Sequence, residues 1–81
     1  MKTLRNAQVG SKVRVKKIRG RGALKRRIME MGLTQGIEVL VQKEAPLGDP
    51  IELNIRGYNL ALRRSDAALI EIEGETKAAP V

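Results

Sequence analysis

Ala45-Pro46-Leu47-Gly48-Asp49-Pro50-Ile51 is the stretch that decides the fold. Each proline fixes φ at about −65° and removes a backbone donor, the residue before it is pushed toward extended geometry, and Gly48 supplies positive φ at little cost. Directly after it, Ile51, Leu53 and Ile55 alternate with Glu52, Asn54 and Arg56, a two-residue period with one apolar and one wet face. The reading is a rigid corner that feeds a half-buried strand.

Upstream of the corner, residues 36–43 read as another strand, with Ile37, Val39 and Val41 on one face; Leu40 falls on the other. Farther back, Lys12–Ile18 has Val13 and Val15 inward and Lys12, Arg14 and Lys16 outward. Lys17 breaks that phase, so a bulge or strand end is expected there. Between these two strands Leu24, Ile28 and Met31 form a helical stripe over residues 23–31, with Gly32 as its C-terminal cap. So short a helix is marginal alone and must dock as a lid on a barrel end. Downstream, Gly57 tightens a hairpin into a strand at 59–63, Ser65 is placed to cap one helical turn, and a last strand at 69–73 carries Ile70 and Ile72 inward and Glu71 and Glu73 outward. Five short strands with one inserted short α-helix predict a mainly β protein, a small SH3-like five-stranded barrel. It is expected to occupy residues 1–75, with residues 76–81 as a disordered tail.

The composition narrows the chemistry. Among 81 residues Tyr58 is the one aromatic, and there is no Phe, Trp, His or Cys, so the core is aliphatic and neither imidazole nor thiolate is available. A transition metal would be left with carboxylates alone. Glu71, Glu73 and Glu75, with Glu52 near them, are the candidates, and outward glutamates of this kind read as solubilising charge; no metal site and no cofactor is expected. Ser11, Thr34 and Ser65 have no recognisable activating partner, so the chain does not read as an enzyme and has no catalytic residues to assign. The Gly20-Arg21-Gly22 loop lacks the spacings of nucleotide-binding loops and reads as plain turn chemistry. No apolar run approaches the length of a membrane span, which makes a cytoplasmic protein the default.

The formal charge is +7, but residues 1–29 carry eleven Lys or Arg and no acid, whereas residues 30–81 sum to −4. Such asymmetry points to an anionic partner for the first part: an acidic protein surface, an anionic membrane leaflet or nucleic acid. Phosphate-only binding of nucleic acid is the alternative reading, held back by the lack of stacking aromatics. Tyr58 is expected to be a half-buried barrel residue, and Leu33 and Leu47 to cover barrel ends. Exposed barrel edges also leave weak homo-oligomerisation open.

Several segments together resemble one family. These are the Gly20/Gly22 loop, Arg27-Ile28-Met29-Glu30-Met31-Gly32-Leu33 with Gly36, the corner itself, and Arg56-Gly57-Tyr58-Asn59-Leu60-Ala61-Leu62-Arg63 followed by Ala67-Ala68 and Ile70. Over Leu4 to Glu73 the chain is similar to the FeoA family, small cytosolic accessory proteins of bacterial ferrous iron uptake. The resemblance implies an SH3-like barrel acting with FeoB, the large membrane permease that carries a cytosolic GTPase domain. A related domain is appended to some iron-dependent repressors, and a chain of this length is expected to be the transport accessory instead. In that role the basic first strand and helix (Lys12, Arg14, Lys16, Lys25, Arg26, Arg27) are expected to meet the permease or the inner face of the plasma membrane, with Met29 and Leu40 adding apolar contact.

Overall fold

The computed structural model describes residues 2–77. A 3-10 turn at Leu4–Asn6 precedes β1 (Ser11–Ile18), α1 (Gly22–Glu30), β2 (Glu38–Glu44), β3 (Ile51–Ile55), β4 (Tyr58–Leu62), the single-turn α2 (Arg64–Ala67) and β5 (Ile70–Lys77). The strands form one antiparallel sheet in the order β4-β3-β2-β1-β5. This is the mainly β, five-stranded architecture with an inserted helix. The 3-10 turn had no signal in the sequence pattern, and β5 continues past the expected end at Glu73, pairing Thr76 with Lys12 and Lys77 with Ser11. The remainder of the expected tail, residues 78–81, lies outside the described residues.

Alternation does the folding. In β1 Val13, Val15 and Ile18 are buried, in β3 Ile51, Leu53 and Ile55, and these meet Val39 and Val41 of β2 and Ile70 and Ile72 of β5 in one aliphatic cluster. Each such side chain contributes about 1.5–3 kcal/mol by leaving water. Around α1, Ile28 and Leu33 join the cluster fully, while Leu24 and Met31 pack against it from a partly buried position. Leu33 therefore covers the core as expected. Leu47 does not: it is 97% exposed at the tip of the β2–β3 corner.

Two local devices hold the connections. At the end of α1, Gly32 (φ 104°) donates to Met29 O at 3.0 Å and Leu33 to Ile28 O at 3.3 Å. This is the paired closure of a Schellman motif, sealed by the apolar Ile28 and Leu33. The Tyr58 hydroxyl donates to the Met31 carbonyl at 2.6 Å, pinning the β3–β4 hairpin to the end of α1. A Cβ on residue 32 would collide with that hydroxyl. At the corner, Gly48 (φ 83°) donates to Ala45 O at 2.7 Å and Ala45 to Pro50 O at 3.0 Å, and the Asp49–Pro50 peptide is cis.

Asp49 also corrects the sequence reading of α2. Ser65 lies inside that turn and caps nothing; Asp49 Oδ1 instead accepts from Arg64 N–H at 3.0 Å, across fifteen positions of sequence. Arg64 in turn donates through Nε to the Gly48 carbonyl, so α2 and the corner are tied in both directions.

Gly32→Ala should cost more than about 1 kcal/mol in urea denaturation, because both the left-handed backbone and the tyrosine oppose a methyl group. The double variant G32A/Y58F should recover part of that loss, and strict additivity of the two changes would contradict the collision. Asp49→Ala should cost about 1 kcal/mol as a lost cap.

Candidate functional site

Strand β1 changes phase at Lys16–Lys17. Against β5 its register shifts between Val15, opposite Ile72, and Lys17, opposite Glu71. The bulge expected from the sequence is therefore present, and it turns two consecutive lysines outward while Ile18 returns to the core. Facing them is α1, whose exposed side carries Lys25, Arg26 and Met29. Lys16, Lys17, Lys25, Met29 and Gln35 line one open groove, with Ile18 in its wall, and Lys25 and Met29 also border a second depression with Arg26 and Glu30. The two are continuous through Lys25 and Met29, forming one basic surface with a 43% exposed methionine at its centre.

A carboxylate lies buried beside this surface. Glu71, expected to face outward, is 4% exposed and accepts from Arg19 Nε at 2.5 Å. The period of β5 itself holds, since Ile70 and Ile72 on either side are buried in the core; Glu71 points to the other face and is buried there because the N-terminal segment lies over it, with Thr3 bridging Glu71 and Ile72 N–H donating to Lys2 O. The Arg19 hydrogen bond holds its carboxyl below the usual carboxylate range against the opposing cost of burial, with the positive charges of Arg19, Lys16 and Lys17 adding to the effect. Glu75 is depressed likewise, first by its hydrogen bond from Lys2, then by the Gln8 N–H at 2.9 Å and the Ser11 hydroxyl at 3.2 Å. Glu71 and Glu75 are thus occupied by internal partners, and no group of three potential ligands that could hold a metal occurs among the described residues.

The residues read from sequence as one partner face divide into four groups. Lys16, Lys25, Arg26 and Met29 meet as described. Lys12 and Arg14 line a separate groove whose other walls include Glu38 and Glu73, which offset their charge. Leu40, half-buried, stands opposite Lys12 on the outer face and beside Asn54. Arg27 departs toward α2, with Asp66 at 3.8 Å. Lys17 and Gln35 belong to the site and were missed, although the broken alternation at Lys16–Lys17 was the signal for the first. Tyr58 is exposed at 47% rather than half-buried as expected, although its hydroxyl is committed to Met31.

Comparison with known proteins adds the following. The family model described as the FeoA domain matches residues 2–74. A fusion protein of Porphyromonas gingivalis (strain ATCC BAA-308 / W83), Fe(2+) transport protein A joined to the Fe(2+) transporter FeoB, is 41% identical over 70 residues; the match spans 86% of this chain and 8% of the fusion. The solution structure of a FeoA-like protein from Clostridium acetobutylicum is 42% identical with a TM-score of 0.82, covering 88% of this chain and 83% of that one. Iron(II) transport protein A from Clostridium thermocellum gives 36% and 0.85, covering 89% of this chain and 44% of that one. Stenotrophomonas maltophilia FeoA, an SH3 domain protein solved with zinc, is 24% identical with a TM-score of 0.85 over 98% of this chain and 100% of that one, and supports the fold.

Acid should weaken the protein through Glu71 and Glu75. In the unfolded chain such carboxyls titrate at about 4.3. Their folded values lie lower, so below that pH the unfolded state binds more protons. Their stabilisation is complete above about pH 4.3 and is lost as pH falls through the folded values. Urea midpoints measured from pH 7 to pH 3 should drop for the wild type and fall less steeply for Glu75→Gln, which starts lower at pH 7; parallel curves would remove Glu75 from the account.

Proposed function

Since this chain belongs to the FeoA family, whose members are accessory proteins of ferrous iron transport, we propose that it works without catalysis of its own, docking on a FeoB-type permease at the inner face of the plasma membrane and modulating GTPase-coupled uptake. The fusion in Porphyromonas gingivalis carries this reading, because a covalent link keeps the FeoA and FeoB parts at high effective concentration for one another. Among the described residues no helix is long and apolar enough to cross a membrane, so the permease supplies the transmembrane path.

The docking surface in this reading is the groove of Lys16, Lys17, Lys25, Arg26 and Met29. Four cations around one apolar side chain suit an acidic partner surface, with the methionine adapting its shape to the contact. Arg19 is engaged by Glu71. The Lys12–Arg14 groove, bordered by its own glutamates, is the weaker attractor for an acidic partner.

Lys16→Glu combined with Lys17→Glu and Lys25→Glu should leave the thermal unfolding cooperative and weaken co-purification with the permease by more than about tenfold, since like charges across an interface cost over 1.4 kcal/mol. Ferrous iron uptake in cells carrying the variant should fall in parallel. Raising salt should mimic the reversal in the wild type. Undiminished association in the triple variant would end the basic-face reading, and a shift of RNA or DNA at physiological salt would favour nucleic acid in its place.

A further inference from the structure

The sheet ends on one side at β4, and among the described residues no strand pairs with its outer edge. A two-residue hairpin joins β3 to β4: Arg56 (φ 51°) and Gly57 (φ 89°) are both left-handed, and Ile55 stands opposite Tyr58. In such a hairpin the residues flanking the turn form a hydrogen-bonded pair, and bonded pairs then alternate along the ladder. Tyr58, Leu60 and Leu62 consequently bond to β3, while the N–H and C=O groups of Asn59 and Ala61 point away from it. Among the described residues neither makes a backbone hydrogen bond beyond that ladder. Both side chains are exposed.

Natural edges of this kind are usually blunted by charge, proline or a bulge. The five residues Tyr58-Asn59-Leu60-Ala61-Leu62 contain none of the three, and their register with β3 is regular throughout. The far edge of the sheet is treated differently, since the N-terminal segment covers it: Thr3 bridges Glu71, and Ile72 N–H donates to Lys2 O at 3.1 Å. The charges of the β4 edge sit at its two ends, in exposed Arg56 and exposed Arg63.

We infer that β4 is a strand-addition site for an extended segment of a partner, with acidic residues at both ends of the segment facing Arg56 and Arg63. Backbone pairing to Asn59 and Ala61 would supply the affinity and the flanking arginines the choice of partner. A second copy of this chain fits poorly. When Asn59 pairs with Ala61 of an antiparallel copy, Arg56 of each chain meets the arginine end of the other, and both chains carry +7. This inference uses neither the basic groove nor the association with a permease.

The test is amide hydrogen exchange on the full chain, with and without a synthetic eight-residue peptide that has a Thr-Val-Thr-Val centre and a pair of glutamates at each end. At nine times its Kd the peptide should slow exchange at Asn59 and Ala61 by about tenfold, and a peptide with lysine pairs should leave both at their free rates. Ala61→Pro removes an outward donor and no ladder bond, so it should unfold cooperatively and lose the protection. If that variant fails to fold, Arg56→Asn with Arg63→Gln should fold and abolish the preference for the acidic peptide. Free rates at both amides with saturating acidic peptide would overturn the inference. So would equal binding of the lysine peptide, or protection in the free protein that grows with concentration, which would make a second copy the occupant.

Discussion

Everything distinctive about this barrel depends on the change of phase in β1 between Lys16 and Lys17. A strand that alternates strictly would send either Ile18 or its lysines to the wrong face, because side chains repeat every two residues. The bulge allows both demands at once: Ile18 seals the aliphatic core and two lysines emerge side by side. It also places Lys17 opposite Glu71 of β5. Glu71 is buried under the N-terminal segment there, and Arg19, just beyond the strand, supplies its counter-charge. A buried carboxylate without that partner would be costly, so the basic character of the region and the burial of Glu71 are coupled.

A second level of organisation comes from contacts between loops rather than between strands. With no phenylalanine or tryptophan to fill the interior, the barrel is closed by small devices placed at element ends. The Tyr58 hydroxyl satisfies an orphan helix carbonyl, the corner carboxylate of Asp49 caps α2, and Glu75 gathers Lys2, Gln8 and Ser11 around the N-terminal segment. Each joins residues distant in sequence and each uses a polar group at the rim, where it can bond without entering the aliphatic core. The Pro46–Pro50 corner belongs to this set. Its rigidity orients Asp49 and Gly48 toward Arg64, while Leu47 projects into solvent.

The two surfaces left over differ in kind. The groove beside α1 offers charge and one adaptable apolar side chain, and its attraction is long-range and salt-dependent. The edge of β4 offers backbone groups, which act at short range and demand an extended ligand. They lie on separate elements, so a partner could use one without the other.

Sequence by itself determined the strands, the inserted helix with its glycine cap and the concentration of positive charge in the first 29 residues, since alternation, helical spacing and glycine placement are local properties. The family was legible for the same reason, in motifs written over short stretches. Tertiary structure alone decided which cations act together. Arg27 is one residue from Arg26 yet faces Asp66, Lys12 and Arg14 share a groove with Glu38 and Glu73, and Lys17 joins Lys16 because of a register shift against β5. It also decided that Glu71 is buried, that Asp49 rather than Ser65 caps α2, and that β4 is an edge strand of the sheet. Each of these depends on which strand lies beside which, and in what register, a long-range relation that no local period in the chain records.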